Sequence, residues 1–422
     1  MGMGGVQRTA KFVKFLPLSA WEPVVLTVNP KIYLAKDDCL LGELKKDGIK
    51  IYRTGGDENT PEHKVVKFKK DSNRKFLSNL SQTVLIPDSK ILWKKKALAL
   101  ADKIFAENDI DIIYSTAPPY TDFLIACELK KKYNVPVVLD YRDSWIDCPN
   151  NFYPTPVHKS IHKKMEAGVL KSADKIVTIN SRIKELIIER YPFKTGNDIS
   201  IIPQGFDPDD FEKYSGAKNS SGKMRITYSG SFLNYYTPKY FLKGLALAIS
   251  KNPGLKNKVE ACFIGSFPDE YKSYIASLGL TDISNIVGYV EHTQCIKLLL
   301  ESDILWMMIN KTERSDLHST GKLYEYFGAK KPILACVPAG VARESLKKYG
   351  AVKLTGPDDV NAISEAILEF FEMYKNNSLP KPNEELISSY NRKKLTGELA
   401  GVFGLVLNSE EVKENKTDLV HT

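Results

Sequence analysis

The sequence predicts an α/β protein with two Rossmann-like, doubly wound parallel-sheet domains facing across a cleft. Three observations carry that expectation. The chain has 422 residues, too many for one ordinary core and enough for two domains of roughly 200 residues each. Short apolar, β-branched runs end in Gly, Ser or Asn and alternate with amphipathic stretches, the pattern of strands joined by helical crossovers. That layout occurs twice, on either side of the polar segment SGAKNSSGK at 215–223.

In the first half the strand candidates are PVVLTV (23–28), IKIYRT (49–54), IDIIYST (110–116), PVVLDYR (136–142), KIVTIN (175–180) and ISIIPQ (199–204). Helices are expected at 6–17, 90–107, 119–132, 156–171 and 181–190. The Lys-rich stretch from about 57 to 89 has little periodicity and reads as a surface insertion. The second series comprises MRITYSG (224–230), VEACFIG (259–265), NIVGYV (285–290), DILWMMI (303–309), PILACVP (332–338) and AVKLTG (351–356). A last helical stretch, 383–408, follows Pro380 and Pro382. The expected domains are therefore 1–205, 206–382 and a segment 383–422 whose helix packs back on the first domain.

Composition narrows the class. With 43% hydrophobic and 26% charged residues, the chain reads as soluble and globular. No run approaches the ~20 apolar residues of a membrane span, and the first residues lack the apolar core of a signal peptide. A cytoplasmic location is expected. Six scattered cysteines without a Cys-x-x-Cys pair read as buried, reduced thiols. No His/Cys/Asp cluster has metal-ligand spacing; Asp109 and Asp111 begin a strand, away from the carboxyl ends where ligands bind. Residues 1–195 hold 33 Lys+Arg against 23 Asp+Glu, and the rest 27 against 28. The basic half suits either a solvated Lys-rich face or an anionic partner such as a membrane surface or a lipid-linked diphosphate.

The most informative segment is STGKLYEYFGAKKPIL (319–334). Ser319 and Thr320 stand at N-cap positions, and Gly321 permits close backbone approach. Free amides at the helix start, the helix dipole and Lys322 make an anion site suited to a diphosphate. Glu325 lies one turn along the same face, placed to accept hydrogen bonds from two ribose hydroxyls. A capped helix with an exposed Lys and Glu reads equally well from spacing alone.

This run resembles the donor-site helix of family 4 glycosyltransferases of GT-B fold, in the branch that builds surface polysaccharides. IDIIYSTAPPYTDFLIACELKKKYNVPVVLDYRDSWIDCP (110–149) resembles the matching acceptor-domain segment. GGVQRTAKFVKFLP (4–17), EAGVLKSADKIVTINSRIKELI (166–187) and IIPQGFDPDDF (201–211) add to the likeness. The resemblance implies that Glu325 is the second glutamate of a Glu-x7-Glu motif that binds the donor ribose. Leu317 stands where the first would be, beside Asp316. It implies a diphosphate held near Gly230 and Lys243, with Lys322 taking more of the charge because the family's Arg is absent from 229–244. Gly4 and Gly5 resemble the loop that approaches the transferring sugar, although the family's strand before that loop has no counterpart here. VGYVEH (287–292) resembles the loop that contacts the base, with Tyr289 placed to stack on it. His292 and His318 read either as residues near the phosphate or sugar or, more plainly, as polar surface residues.

Asp140, Arg142 and Asp143 follow an apolar strand and are expected to project into the cleft. An Asp there orients an acceptor hydroxyl or accepts its proton, and an Arg holds phosphate; an Arg–Asp pair closing a turn is the plainer alternative. The family implies a hexosyltransferase using a nucleotide-diphosphate sugar as donor substrate, with no cofactor and no metal, retention at the anomeric carbon, and a saccharide or lipid-linked saccharide as acceptor. It further implies peripheral contact with anionic membrane at the inner face of the plasma membrane. Two rivals remain: a nucleotide-sugar 2-epimerase of the same architecture, and a non-catalytic nucleotide- or nucleic-acid-binding module. Lys clusters without interleaved aromatics argue against nucleic acid. The lack of Gly-x-Gly-x-x-Gly after any strand argues against a dinucleotide-dependent oxidoreductase.

Overall fold

The computed structural model describes residues 4–29, 42, 48–55, 83–148, 151–232 and 236–418. The stretch expected as a surface insertion lies outside these residues as far as 82. The chain divides into two compact units, 1–203 with 393–422, and 204–392.

The first unit contains α1 (Gly4–Phe15), β1 (Val24–Val28), β2 (Lys50–Thr54), α2 (Lys94–Glu107), β3 (Ile113–Ala117), α3 (Thr121–Tyr133), β4 (Val137–Tyr141), α4 (Pro156–Ser172), β5 (Lys175–Thr178), α5 (Ser181–Arg190) and β6 (Ile199–Ile201). Its strands form a two-stranded sheet β1-β2 and a four-stranded sheet β3-β4-β5-β6, all pairs parallel. All five residues of β4 are buried, because helices cover both faces of a parallel sheet and its central strand needs apolar side chains on each. Helix starts are fixed by side-chain oxygens. The Asp88 carboxylate accepts from the Thr121 amide (3.1 Å) and hydroxyl (2.8 Å) at the start of α3, and Asn180 caps α5 by accepting from the Ile183 amide.

The second unit contains α6 (Pro208–Glu212), β7 (Met224–Ser229), α7 (Lys239–Lys251), β8 (Val259–Ile264), α8 (Asp269–Ser277), β9 (Ser284–Gly288), α9 (His292–Leu300), β10 (Ile304–Met308), α10 (Gly321–Ala329), β11 (Ile333–Cys336), α11 (Val341–Tyr349), β12 (Val352–Thr355), α12 (Val360–Lys375) and α13 (Glu384–Ser389). Its sheet is six-stranded and parallel, ordered β12-β11-β10-β7-β8-β9. The order reverses between β7 and β10, the switch point at which such sheets open a crevice outside the carboxyl ends. One core fills each face, one built on Phe241, Phe263, Trp306 and Phe370, the other on Leu323, Tyr326, Phe327 and Tyr349.

The terminal helical stretch differs from the single element expected at 383–408. It breaks at Tyr390–Asn391 between α13 and α14 (Arg392–Asp418). Phe206 bridges Asn391 in parallel, its amide donates to the Tyr390 carbonyl, and the Arg392 amide donates to the Phe206 carbonyl. The strands entering and leaving the second unit thus lie side by side, and α13 stays with that unit. Beyond the break, Leu395, Leu399, Val402, Phe403 and Val406 recur at helical spacing and pack on Phe12, Val138, Val177 and Ile202 of the first unit.

Candidate active site

In the second unit the site is built at the β7/β10 switch point. β7 ends at Ser229, and Gly230 follows with φ +137, a conformation that L side chains rarely adopt. A Cβ at Gly230 would lie 2.6 Å from the Lys322 Nζ, and one at Gly265 would lie 2.4 Å from the Gly230 carbonyl oxygen. The Gly230 amide donates to Ile264 and the Gly265 amide to Gly288. Gly230, Gly265 and Gly288 therefore floor the carboxyl ends of β7, β8 and β9 with bare backbone.

α10 supplies the charged groups. Thr320 occupies its N-cap, yet its hydroxyl makes no capping bond and is buried without a hydrogen-bond partner. Ser319 instead pairs its hydroxyl with the Tyr324 hydroxyl (2.7 Å). Gly321 faces open space, which leaves the first amides of the helix accessible. The Lys322 Nζ lies 3.8 Å from the Tyr228 ring centroid, a cation–π contact. The Tyr228 hydroxyl is itself buried without a partner. Burial pulls the Lys322 pKa down to about 7, with Glu325 and Cys295 acting the other way. A buried amine close to neutrality, flanked by unsatisfied hydroxyls and helix amides, is the arrangement a phosphate group satisfies.

Glu325, one turn further, meets the His292 Nε2 at 3.3 Å, and the His292 Nδ1 lies 3.9 Å from the Asp210 Oδ2. Of the two readings open to it, His292 thus takes the one that joins this cluster rather than the plain surface. Its position at the start of α9, beyond β9, gave no sequence signal for that pairing. Cys295 lies in the same recess, its Sγ 3.2 Å from the Ser229 Oγ, and burial pushes its thiol up to about 12, so it is an inert thiol here. Tyr289 is 63% exposed at the end of β9. Lys243 is exposed on α7, and no described contact links it to Lys322 or Glu325. Leu317 is buried and Asp316 pairs with Arg314 at 3.3 Å, so the position of the first motif glutamate carries an apolar anchor. Gly4 and Gly5 form the first turn of α1, two residues earlier than the expected helix start.

In the first unit Asp140 departs from expectation. It does not project outward but is fully buried, paired with Arg8 through Nε–Oδ2 (2.9 Å) and NH2–Oδ1 (2.8 Å). It also accepts from the Tyr114 hydroxyl (2.6 Å) and the Thr116 hydroxyl (2.8 Å). Burial alone would raise its pKa, but the Arg8 charge and these donors outweigh burial and hold it below the usual carboxylate range. Side chains alternate along β4, but the strand is covered on both faces, so alternation could not mark Asp140 as inward.

Arg142 and Asp143 do lie beyond the strand. Arg142 bonds the Pro118 carbonyl, and its Nε is buried without a partner. Asp143 is exposed by area but sits in a crowded recess, where dehydration pushes its pKa up to about 6 against the pull of Arg142. A third acid joins them that the sequence did not single out. Asp122, in the first turn of α3, has an Oδ1 buried without a partner. Burial, then the nearby Asp88 charge, raise its pKa to about 7, while Arg142 and Lys90 lower it. Thr121-Asp122, one residue after Pro118-Pro119, was the available signal, since it places an acid at a helix start beyond a strand. Among the described residues no group of three His, Cys, Asp or Glu side chains is arranged to hold a metal ion.

Comparison with known proteins agrees with this layout. The profile of Glycosyltransferase Family 4 matches residues 44–210, and that of Glycosyl transferases group 1 matches 210–387. A glycosyltransferase from Rickettsia africae ESF-5 superposes with TM-score 0.63 at 18% identity, covering 96% of each chain. An α,α-trehalose 6-phosphate synthase from Burkholderia multivorans gives TM-score 0.58 at 12% identity, covering 93% of this chain and 98% of that one. A lipopolysaccharide outer core galactosyltransferase, WaaB, gives 0.54 at 14%, covering 97% and 98%. No curated protein matches the chain. Two parallel-sheet α/β units of this order define the GT-B class of fold. With the two profiles tiling residues 44–387, the chain belongs to the group 1 glycosyltransferases and carries out sugar transfer.

Proposed function

We propose that the protein transfers a hexosyl group from a nucleotide-diphosphate sugar, held by the second unit, to a saccharide hydroxyl on a lipid-linked acceptor bound by the first. The observation that carries this reading is the Lys322 amine, seated over Tyr228 and against Gly230, with Glu325 one turn further along the same helix. A diphosphate at that point takes up the α10 amides, the Thr320 hydroxyl and the Lys322 charge. The same groups stabilise the charge that develops on the diphosphate as the glycosidic bond breaks, which is the main electrostatic demand of the reaction. Glu325 holds the ribose once His292 gives way to it, and Tyr289 offers a face to the base. Tyr289 and Lys243 enter as secondary contacts, Tyr289 for its exposure and Lys243 for its place on the helix after Gly230.

On the acceptor side, Asp143 and Asp122, both with pKa values raised toward neutrality, suit an exchange of protons with a hydroxyl near pH 7. Arg142, with an unsatisfied Nε, suits a phosphate of the acceptor. The basic first half of the sequence favours an anionic, lipid-linked acceptor at the inner face of the plasma membrane, and no helix of the described residues is long and apolar enough to cross a membrane. Retention of configuration rests on the family resemblance.

The test is a thermal-shift screen with a panel of nucleotide sugars, since a ligand that binds only the native state raises Tm. One donor should stabilise the wild type and fail to stabilise Lys322→Ala and Glu325→Ala. Equal stabilisation of all three proteins removes the donor-site assignment. A new nucleotide sugar formed without any acceptor would favour epimerisation over transfer.

A further inference from the structure

We propose that Lys322 is a modification site: an acyl phosphate, its phosphate seated on the start of α10, acylates the Lys322 amine and so switches the anion seat off. Acylation rests on the anion seat read above but needs no sugar transfer, so either reading can fail alone.

An unengaged nucleophile and an anion cradle meet at one point. Lys322 is half-buried, and among the described residues no hydrogen bond or ion pair ends on its Nζ. The amine rests 3.8 Å from the Tyr228 ring centroid and 6.0 Å from that of Tyr236. The Gly230 backbone beside it is bare: a Cβ there would meet the amine at 2.6 Å and the Tyr228 hydroxyl at 3.5 Å. That hydroxyl belongs to a side chain only 1% exposed and has no hydrogen-bond partner. The Thr320 hydroxyl, at the helix start, is buried without a partner as well, and Gly321 opens on free space. Unsatisfied hydroxyls and open helix amides around one spot call for an oxyanion with several acceptor atoms.

Only a neutral amine attacks a carbonyl. An ordinary lysine, with a pKa near ~10.4, is neutral in about one molecule in 2,500 at pH 7. The groups facing Lys322 come from several elements. Glu325 lies on its own helix, 3.3 Å from His292 of α9. Cys295 comes from α9, with its thiol protonated. Tyr228 comes from β7, and Tyr236 from the segment before α7. Desolvation outweighs Glu325 and Cys295 and brings the amine to about 7, so roughly half of it is neutral at pH 7. A desolvated lysine of this kind is an activated nucleophile.

The ligand class follows from the closeness of the two features. In an acyl phosphate a single bridging oxygen separates the carbonyl carbon from phosphorus. A phosphate on the α10 amides therefore sets that carbon beside the amine. The nitrogen lone pair forms the C–N bond, and the bond from carbon to the bridging oxygen breaks. Inorganic phosphate leaves with that electron pair, its charge held by the same amides, and the nitrogen gives up one proton to water. The products are an amide and inorganic phosphate. At sub-saturating acyl phosphate the reactive complex forms from the neutral amine already present, so tighter binding to the ammonium form does not slow it. The amide carries no charge, and the seat loses its cation.

The test treats the full chain with acetyl phosphate and follows acetylation of each lysine by peptide mass mapping. Lys322 should react at least about tenfold faster than the exposed Lys243 at pH 7, a modest share of its excess of neutral amine, because a weaker base is also a weaker nucleophile. The Lys322 rate should level off above its pKa, while that of Lys243 still climbs. Inorganic pyrophosphate should slow Lys322 and leave Lys243 unchanged. With N-acetylimidazole, an acyl donor without phosphate, the advantage of Lys322 should fall severalfold. In Lys322→Arg the fast phase should vanish. A Lys322 that reacts no faster than Lys243, that ignores pyrophosphate, or that keeps its full advantage with N-acetylimidazole would overturn the proposal.

Discussion

Asp140 gives the sharpest test, because sequence position and structure assign it opposite roles. At the end of an apolar strand it reads as a cleft acid; in the fold it anchors α1 through Arg8 with both side chains at 0% exposure. Replacing Asp140 with Ala removes four hydrogen bonds at once, two from Arg8 and one each from Tyr114 and Thr116. The guanidinium is left buried, with the carbonyls of Ile202 and Pro203 and the face of the Phe12 ring beside it but no counter-charge. Breaking a buried pair by deleting one partner costs about 3–5 kcal/mol. A domain of the first unit's size loses ~2–4 °C of Tm per kcal/mol, so its transition should fall by roughly 6–20 °C. The double variant Arg8→Met, Asp140→Leu should recover at least half of that loss, since two apolar side chains of similar volume do not leave a buried charge. Scanning calorimetry of the four proteins, read as a double-mutant cycle, separates the terms. A loss under about 1 kcal/mol for Asp140→Ala, or a double variant no better than the single, refutes the assignment. The pair also sets a pH dependence. The Asp140 pKa is depressed in the fold, so its contribution is present above the unfolded value near ~4 and is lost as pH falls through the folded value.

Two further predictions concern the second unit. In the free protein Lys322 has a pKa of about 7; a bound diphosphate raises it, so binding takes up a proton above pH 7. Donor affinity should be full below about pH 7 and fall by up to ~10-fold per pH unit above it. In Lys322→Arg, which stays charged, the slope should vanish, and a wild-type profile that stays flat in calorimetric titrations from just below the shifted value to roughly two pH units above it would contradict the placement. The second is Gly230→Ala, which imposes positive φ on a residue with a Cβ and drives that Cβ toward the Lys322 amine. Strain of about 1–3 kcal/mol should appear as a lower Tm, together with weakened donor binding; an alanine variant with unchanged binding would show that the amine is not needed where it sits.

How much was legible follows from which signals are local. The β-strands of both units came through because a parallel strand is a short, bounded apolar run, and such runs are visible without any knowledge of partners. The start of α10 at Gly321 came through for the same reason, since the signals for a helix start lie within one helical turn. The two-unit division fell at 392 rather than 382 because it depends on Phe206 bridging Asn391, a pairing across 185 positions that no window of sequence contains.

The acids show the limit more sharply. Asp140, Asp143 and Asp122 look alike in sequence, each beside a strand end, and the fold gives them three different fates. Asp140 meets a cation carried by a helix 132 residues away and is held ionised. Asp122 meets another carboxylate, Asp88, and no bonded cation, and its pKa rises toward 7. Asp143 keeps contact with solvent beside Arg142. What distinguishes them is the partner, and a partner supplied by tertiary packing leaves no trace in local composition. The same holds for His292, whose two readings, surface or site, are decided only when α9 and α10 bring it to Glu325 at 3.3 Å. That contact also bears on mechanism. Under the proposed donor reading, a ribose at Glu325 would compete with the His292 imidazole. Position-specific chemistry in this fold is therefore decided by pairs such as Arg8–Asp140 and His292–Glu325, while sequence pattern decides where the strands and helix starts that present them will be.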